Sequence, residues 1–391
     1  MTSTHNKLLR QRHGHAKVTN IELFFDLVFV FAVTQLSHRL LKDLSLMGAI
    51  QTSLLFLAVW WVWVYTSWVT NWLDPEKTPV RILLFAMMLA GLLLSASLPQ
   101  AFGNKGLAFA LVFVAMQVGR SLFMLWALRH EDGAVIRNFQ RITAWLVLSG
   151  IFWVCGGLAD EAYRLLLWTI ALGIEYISPS LGFWTPRLGR SLTSDWNVEG
   201  AHLAERCSLF IIIALGESIL VTGATFAELD WTTSNTLAFF FAFIGSVAMW
   251  WIYFNIGAER GSEHIAQSAD PGRLARLVYT YIHLLIVAGI IAGAVGDELV
   301  LAHPHASLDD PAHSIAMIAG PLLFLLGNLP FKWISSGKRH APLSHLAGLG
   351  CMAALSALAF VWPAMTATGL AGGMSAILLL VAIWETRSLR A

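Results

Sequence analysis

Apolar side chains run along this chain in stretches about as long as a helix needs to cross the hydrocarbon of a bilayer, roughly 20 residues. Twelve runs are predicted as spanning helices, at 21–40, 48–70, 80–99, 106–128, 141–159, 162–182, 204–226, 235–256, 276–296, 312–334, 344–363 and 367–386. The breaks between them hold turn residues and charges: DPEKTP at 74–79, GNKG at 103–106, RHEDG at 129–133, ADEAYR at 159–164 and GAERGSEHIAQSADPGR at 257–273. The first run, ELFFDLVFVFAVTQLSH at 22–38, carries two carboxylates, Glu22 and Asp26. They are four residues apart, so on a helix they share a face.

Composition agrees with the pattern. Hydrophobic residues make up 57% of the chain and charged residues 13%, against roughly 45–50% and about 25% in soluble domains. The expected class is an all-α, polytopic integral membrane protein with the lipid bilayer as its main partner. Neither the composition nor the net charge of +1 points to nucleic acid. Cys155, Cys207 and Cys351 lie in or beside apolar runs with no CxxC spacing, so neither disulfides nor structural zinc are expected. The basic N-terminus (Lys7, Arg10, Arg12, Lys17) resembles that of a signal peptide, yet the run behind it holds Asp26 and no small-x-small cleavage site, so it is expected to stay as the first span.

Charge then orients the spans. With the N-terminus in the cytoplasm, inner loops and tails hold 20 Lys and Arg, outer loops only Arg39, Lys42, Lys105 and Arg164, and Arg120 lies within a helix. Basic residues accumulate on the cytoplasmic side, so both termini are expected inside, in a cell inner or plasma membrane.

The chain also repeats itself. ELFFDLVFVFAVTQ and ERCSLFIIIALGES both open on glutamate; AVWWVWVYTSW and VAMWWIYFN both carry a Trp pair; RILLFAMMLAG and RLVYTYIHLLIVAG both open on arginine. Six crossings return the chain to its starting side, so the two halves are expected to be parallel repeats about an axis along the membrane normal. The organisation that follows is a basic tail at 1–20, a first six-helix repeat at 21–182, a cytoplasmic interfacial linker at 183–203 containing Trp184 and Trp196, a second repeat at 204–386 and a short tail at 387–391.

The segments ELFFDLVFVFAVTQLSH and HLAERCSLFIIIALGESI, together with the Trp-pair helices and YTYIHLLIVAGI, resemble the bacterial low-temperature-requirement A family. The resemblance implies a membrane location and a growth phenotype, with no substrate attached. A shorter pattern, Phe24, Asp26, Val28 and Phe29 opening a six-helix repeat, is similar to that of the lysosomal potassium and proton channel family, whose first helices line the pore. The chain departs from that pattern at helix seven, where Leu209 matches Asp26.

The candidate chemistry lies in ionisable groups at depth: Asp26, Arg120, Glu175, Glu217 and His283, with Glu22, Glu205 and Arg206 near the cytoplasmic boundary. Facing lipid, each would cost roughly 2.5–3.5 kcal/mol or more at the bilayer centre, so all are expected to face the bundle interior or a polar cavity. Asp26, Glu175 and Glu217 outnumber the one deep arginine, Arg120, and an excess of buried acid takes up protons or attracts a cation. Gly216 would allow close helix approach beside Glu217, and Glu217 is expected to face the junction of the halves with Asp26 and His283. Alternatively, Arg120 neutralises Asp26 or Glu217, and the polar groups only hold the bundle together. The loop HPHASLDDPAH offers His303, His305, Asp309, Asp310 and His313, but at no spacing of a defined metal site, and a solvated loop is the simpler reading. Trp68 and Trp72 suit the interfacial belt, while Trp60 and Trp61 are expected to pack at depth.

Three functions stay open. The first is a transporter or channel for protons, a cation or a small polar solute, along a path lined by helices one and seven. The second is a structural or regulatory membrane protein. The third, a lipid-acting enzyme, finds no HExxH or GxSxG motif in support, so no enzyme and no cofactor are expected. A homo-oligomer is left open.

Overall fold

A computed structural model describes residues 8–10, 17–191, 199–255, 270–337, 339–362 and 364–390. Helices cover each of the twelve predicted runs: α1 Asn20–Lys42, α2 Leu46–Trp72, α3 Thr78–Ser97, α4 Gly106–Ala127, α5 Gly133–Leu158, α6 Glu161–Ile177, α7 Gly200–Ala227 and α8 Thr233–Phe254 in the first two-thirds of the chain. Then come α9, continuous from Pro271 to Ala302, α10 Pro311–Ser336, α11 Leu343–Val361 and α12 Ala367–Arg390. Eleven of these are long and apolar enough to cross a membrane. The twelfth, α6, has 17 residues. Strand pairing among the described residues is limited to isolated bridges, one of which joins Leu9 to Leu73. In lipid a helix satisfies all its backbone groups internally, which is why apolar runs of this length adopt it.

Several boundaries differ from the hydropathy reading, each for a local reason. The run at 162–182 stops being helical at Ile177. A turn follows in which Gly182 adopts φ +61°, and a Cβ there would sit 2.7 Å from the Ser191 carbonyl oxygen. Arg141 then anchors the segment by donating to the Leu188 carbonyl and, at 3.0 Å, to Ser191 Oγ. Trp184 of the expected interfacial linker is exposed; Trp196 lies outside the described residues. Helix α9 does not end at 296 but continues through Asp297 and Glu298 to Ala302. It also contains seven residues of π-helix, Arg276–Ile282, a form usually confined to single-turn bulges that are frequent at functional sites.

The chain packs as two units. Unit 1 holds residues up to Leu36, Ile50–Arg206 and Ala269–Arg273; unit 2 holds Ser37–Ala49, Cys207–Ser268 and Leu274 onward. Within unit 1, Phe109, Phe113, Trp153 and Trp168 form an aromatic core between α4, α5 and α6. Gly157 lets α5 close on α4, since a Cβ there would lie 2.9 Å from Leu107 Cα. Within unit 2, α9 and α10 approach through glycines on both sides. A Cβ on Gly327 would stand 2.8 Å from the Ile286 backbone nitrogen, and Gly289 and Gly320 would collide outright with the Phe324 and Gly293 backbones. Small residues that bring backbones together are the usual means of helix association in lipid.

Candidate functional site

Unit 1 gathers five ionisable groups in one buried network. Asp26 lies on α1 and receives Arg206 of α7 through two bonds, Nη2 to Oδ1 at 2.5 Å and Nε to Oδ2 at 3.0 Å. Trp63 of α2 donates its indole N–H to the same Oδ1 at 2.7 Å. One helical turn back, Glu22 Oε1 accepts from Arg206 Nη1 at 3.2 Å and from His202 Nε2 at 2.9 Å. Its Oε2 accepts from Arg10 Nη2 at 2.7 Å and from the Thr19 N–H and hydroxyl at 3.0 and 2.9 Å. The side chains of Glu22, Asp26, His202 and Arg206 are 0% exposed. Arg10, 10% exposed at its side chain, is the member nearest to solvent.

Helix α2 organises this network. Trp63, Thr66 and Thr70 follow at three- and four-residue spacing along one face, and Asn71, eight residues from Trp63, flanks it. Thr70 Oγ1 accepts from Arg206 at 3.0 Å, and its carbonyl accepts from Arg10 Nε at 2.7 Å. Asn71 fixes the histidine. Its amide exchanges two hydrogen bonds with the Glu199 backbone, at 2.9 and 3.0 Å, which orients its nitrogen toward His202 Nδ1 at 3.2 Å. An amide N–H facing Nδ1 makes that nitrogen an acceptor, which puts the proton of the neutral ring on Nε2, 2.9 Å from the Glu22 carboxylate that accepts it; Arg10 Nη2 also lies 3.2 Å from Nε2. With two carboxylates, two guanidiniums and a neutral imidazole, the network has no net charge. Each carboxylate oxygen already accepts a hydrogen bond.

Arg120 and Glu175 form a second buried centre in unit 1 without touching. Arg120 donates to Gln117 Oε1 at 2.5 Å, to Thr66 Oγ1 at 2.9 Å and to the Val62 carbonyl at 3.2 Å. Gln117 Nε2 in turn donates to Glu175 at 2.8 Å, and Ser149 and Trp153 supply further donors at 2.8 and 2.9 Å. Gln117 therefore relays one charge to the other.

These contacts revise the charge balance expected from sequence. Arg120 is not the counter-charge of Asp26; Arg206 is. Placed near the cytoplasmic boundary by hydropathy, Arg206 lies fully buried within α7. The acid excess inferred with Arg120 as the one deep arginine is reduced, because Arg206 and Arg10 answer Asp26 and Glu22. Glu205, three residues after His202, points outward, and its carboxylate accepts from the Val18 N–H at 3.2 Å. Glu217 is half-buried on the part of α7 that belongs to unit 2. A Cβ on neighbouring Gly216 would meet nothing within 4 Å, so the close approach expected there is absent among the described residues. His283, also in unit 2, donates from Nδ1 to the Val278 carbonyl at 2.8 Å and accepts at Nε2 from the Tyr253 hydroxyl at 2.9 Å. In the loop before α10, Asp310 caps that helix by accepting from the Ala312 N–H at 2.9 Å and meets His313 Nδ1 at 2.6 Å. That N–H, and then His313, hold the Asp310 carboxyl below its usual range.

Sequence reasoning missed Arg10, Thr70, Asn71, His202, Gln117 and Ser149. The polar spacing along α2 was the available signal, hidden by the five tryptophans of the same helix.

A family model described as "Bacterial low temperature requirement A protein (LtrA)" matches residues 17–383. An uncharacterized protein of Rhizobium meliloti (strain 1021) is 43% identical over 392 residues, covering 100% of this chain and 94% of the relative. No solved structure matches.

Proposed function

The chain belongs to the bacterial low temperature requirement A family of multi-pass membrane proteins, and on that premise we propose that it is a transporter or channel. Its cargo is a proton, a cation or a small polar solute, and its path runs along α1 and α7, with both termini cytoplasmic and the halves acting as parallel six-helix repeats. One observation supports this above the rest: Arg206 of α7 is bonded through two nitrogens to Asp26 of α1, fully buried, with Glu22 and His202 packed around the pair. A buried ion pair stabilises a fold no better than well-packed apolar side chains do; breaking one costs about 3–5 kcal/mol. What such a network offers is two discrete states, paired and parted. In the paired state it closes the path, because every carboxylate oxygen is occupied by the protein's own donors. Arg10, on the segment paired with the end of α2 through Leu9 and Leu73, is the latch that solvent reaches first.

The test is flux in proteoliposomes, with pH- and cation-sensitive dyes inside and thermal unfolding of the same preparation as the control for folding. Wild-type protein is expected to pass a proton or a monovalent cation. Asp26→Asn should change that flux at least tenfold, and Arg10→Gln, at the edge of the network, should change it in protein of normal stability. Absence of flux for every ion tried in the wild type, or flux indifferent to both substitutions, overturns the reading.

A structural role is the second reading, supported by the network's zero net charge and complete internal hydrogen bonding. It predicts that Asp26→Asn lowers the unfolding temperature in a protein that carries nothing.

A further inference from the structure

Of the five ionisable groups in the unit 1 network, Arg10 alone is not carried by a spanning helix. It comes from the short stretch 8–10, which lies along the end of α2 through the Arg10 N–H to the Trp72 carbonyl and the Asp74 N–H to the Leu8 carbonyl, each at 2.9 Å. Its side chain is nevertheless nine-tenths buried, and all three of its guanidinium nitrogens find acceptors. Nη2 donates to Glu22 Oε2 at 2.7 Å and lies 3.2 Å from His202 Nε2; Nε donates to the Thr70 carbonyl at 2.7 Å and to the Leu73 carbonyl at 3.3 Å; Nη1 donates to the Lys17 carbonyl at 3.4 Å.

The end of α2 makes this cradle available. A further helical turn would give the Asp74 N–H to the Thr70 carbonyl, but α2 stops at Trp72 and that N–H goes to Leu8 instead. The last carbonyls of a helix lack partners within it and carry the negative end of its dipole, so they suit a cation. The acceptors, one carboxylate oxygen and several carbonyls, are spread around the edge of a planar fork. A guanidinium answers them together, whereas an ammonium is a compact point charge without that geometry.

Charge decides what an emptied cradle would do. Without Arg10, Glu22 and Asp26 would face Arg206 alone, leaving one negative charge in excess at a site closed to water. A buried charge that has lost its partner is costly, and a cation bringing the same donors removes that cost.

We propose that this cradle is a binding site for a monosubstituted guanidinium compound, and that Arg10 fills it as a tethered ligand. The guanidinium of the bound compound lies on Glu22 Oε2 and the Thr70 carbonyl, and its substituent follows the course of the Arg10 stem. No covalent bond forms or breaks. The inference deepens the transport reading of the same site and rests on it for one step only, that residues 8–10 withdraw to admit a cargo. Binding is read without flux, so a protein that binds such a compound and carries nothing fails that reading and keeps this one.

The experiment is thermal unfolding of the purified full chain in detergent, titrated with ethylguanidinium and, as matched cations, ethylammonium and potassium. In Arg10→Ala the cradle is empty, and ethylguanidinium should raise the unfolding midpoint, since a ligand that binds only the folded state stabilises it. The wild type should need about tenfold more, because its own Arg10 competes at an effective concentration in the millimolar range. Ethylammonium and potassium should also be about tenfold weaker on Arg10→Ala, lacking the fork. Adding Glu22→Gln to Arg10→Ala removes the excess charge and should abolish the response. No response in Arg10→Ala, an equal response in the wild type or to the matched cations, or one that survives Glu22→Gln overturns the proposal. If Arg10→Ala unfolds on extraction, the cations are supplied throughout purification: recovery of folded protein with ethylguanidinium and not with potassium supports the site, and recovery with neither overturns it.

Discussion

At the scale of single residues, one glutamine separates two of the deepest charges in unit 1. Gln117 uses its oxygen for Arg120 and its nitrogen for Glu175, and at 1% exposure it has no access to water. Gln117→Leu keeps the volume and removes both bonds, so each charge loses a buried partner. A loss of about 3–5 kcal/mol is expected, as for a broken buried pair, measured as chemical or thermal unfolding in detergent. Ser149→Ala removes one of three donors to Glu175 and should cost only about 1 kcal/mol; equal effects would show that the relay carries no special weight. Nothing in the linear spacing of residues 117, 120 and 175 marks Gln117 as the link. An uncharged side chain in an apolar run reads as tolerated polarity until its two neighbours are known.

At the scale of elements, α9 and α10 are joined by backbone contact rather than by side chains filling a gap. Gly320→Val should destabilise the protein by about 1–3 kcal/mol or more, because the added atoms enter the space of the Gly293 backbone and two helices must part. Gly119→Ala is the contrast. A Cβ there meets nothing within 4 Å, and alanine is the better helix former by up to about 1 kcal/mol, so its unfolding midpoint should stay level or rise. The two changes compared in one detergent separate crowding from helix propensity; a neutral Gly320→Val would remove the close-packing account. The helices themselves were legible as apolar runs, but which glycines are contacts was not. Gly216 resembles Gly320 in sequence and differs from it wholly in surroundings. The π-helical turn of α9 was likewise invisible, since side-chain hydropathy does not record which carbonyl an N–H chooses.

At the scale of the whole molecule, the membrane orientation rests on charge. Two residues placed with the cytoplasmic charges, Arg206 and Lys332, are partners inside helices. Setting them aside leaves 18 Lys and Arg on the side expected to be cytoplasmic against 4 on the other, a bias from which the same orientation is expected. In a background with the three native cysteines replaced, Asp309→Cys is therefore expected to react with a membrane-impermeant maleimide from the outside of intact cells. Labelling only after the membrane is opened would invert the topology. The matched motifs of the two halves meet unequal surroundings: Trp60 and Trp61 are buried whereas Trp250 and Trp251 are 50% and 38% exposed, and Glu22 is buried whereas Glu205 is exposed. Whatever symmetry the backbone keeps, the buried chemistry of the α1 motif has no copy in that of α7.

Length and hydropathy alone were enough to establish a helical membrane protein of about twelve spans, because the cost of exposing backbone polar groups to lipid leaves a chain of such runs no other regular structure. They also marked Glu22 and Asp26 as out of place in an apolar run, since charge facing lipid is expensive, but set Arg206 at the cytoplasmic boundary. Only the tertiary structure decided which charge answers which. Arg206 lies 180 residues from Asp26, and no periodicity along the chain links positions that far apart. The pairing depends on how α1, α2 and the start of α7 pack, and that packing sets Glu22 and Asp26 in a neutral network with Arg206, Arg10 and His202.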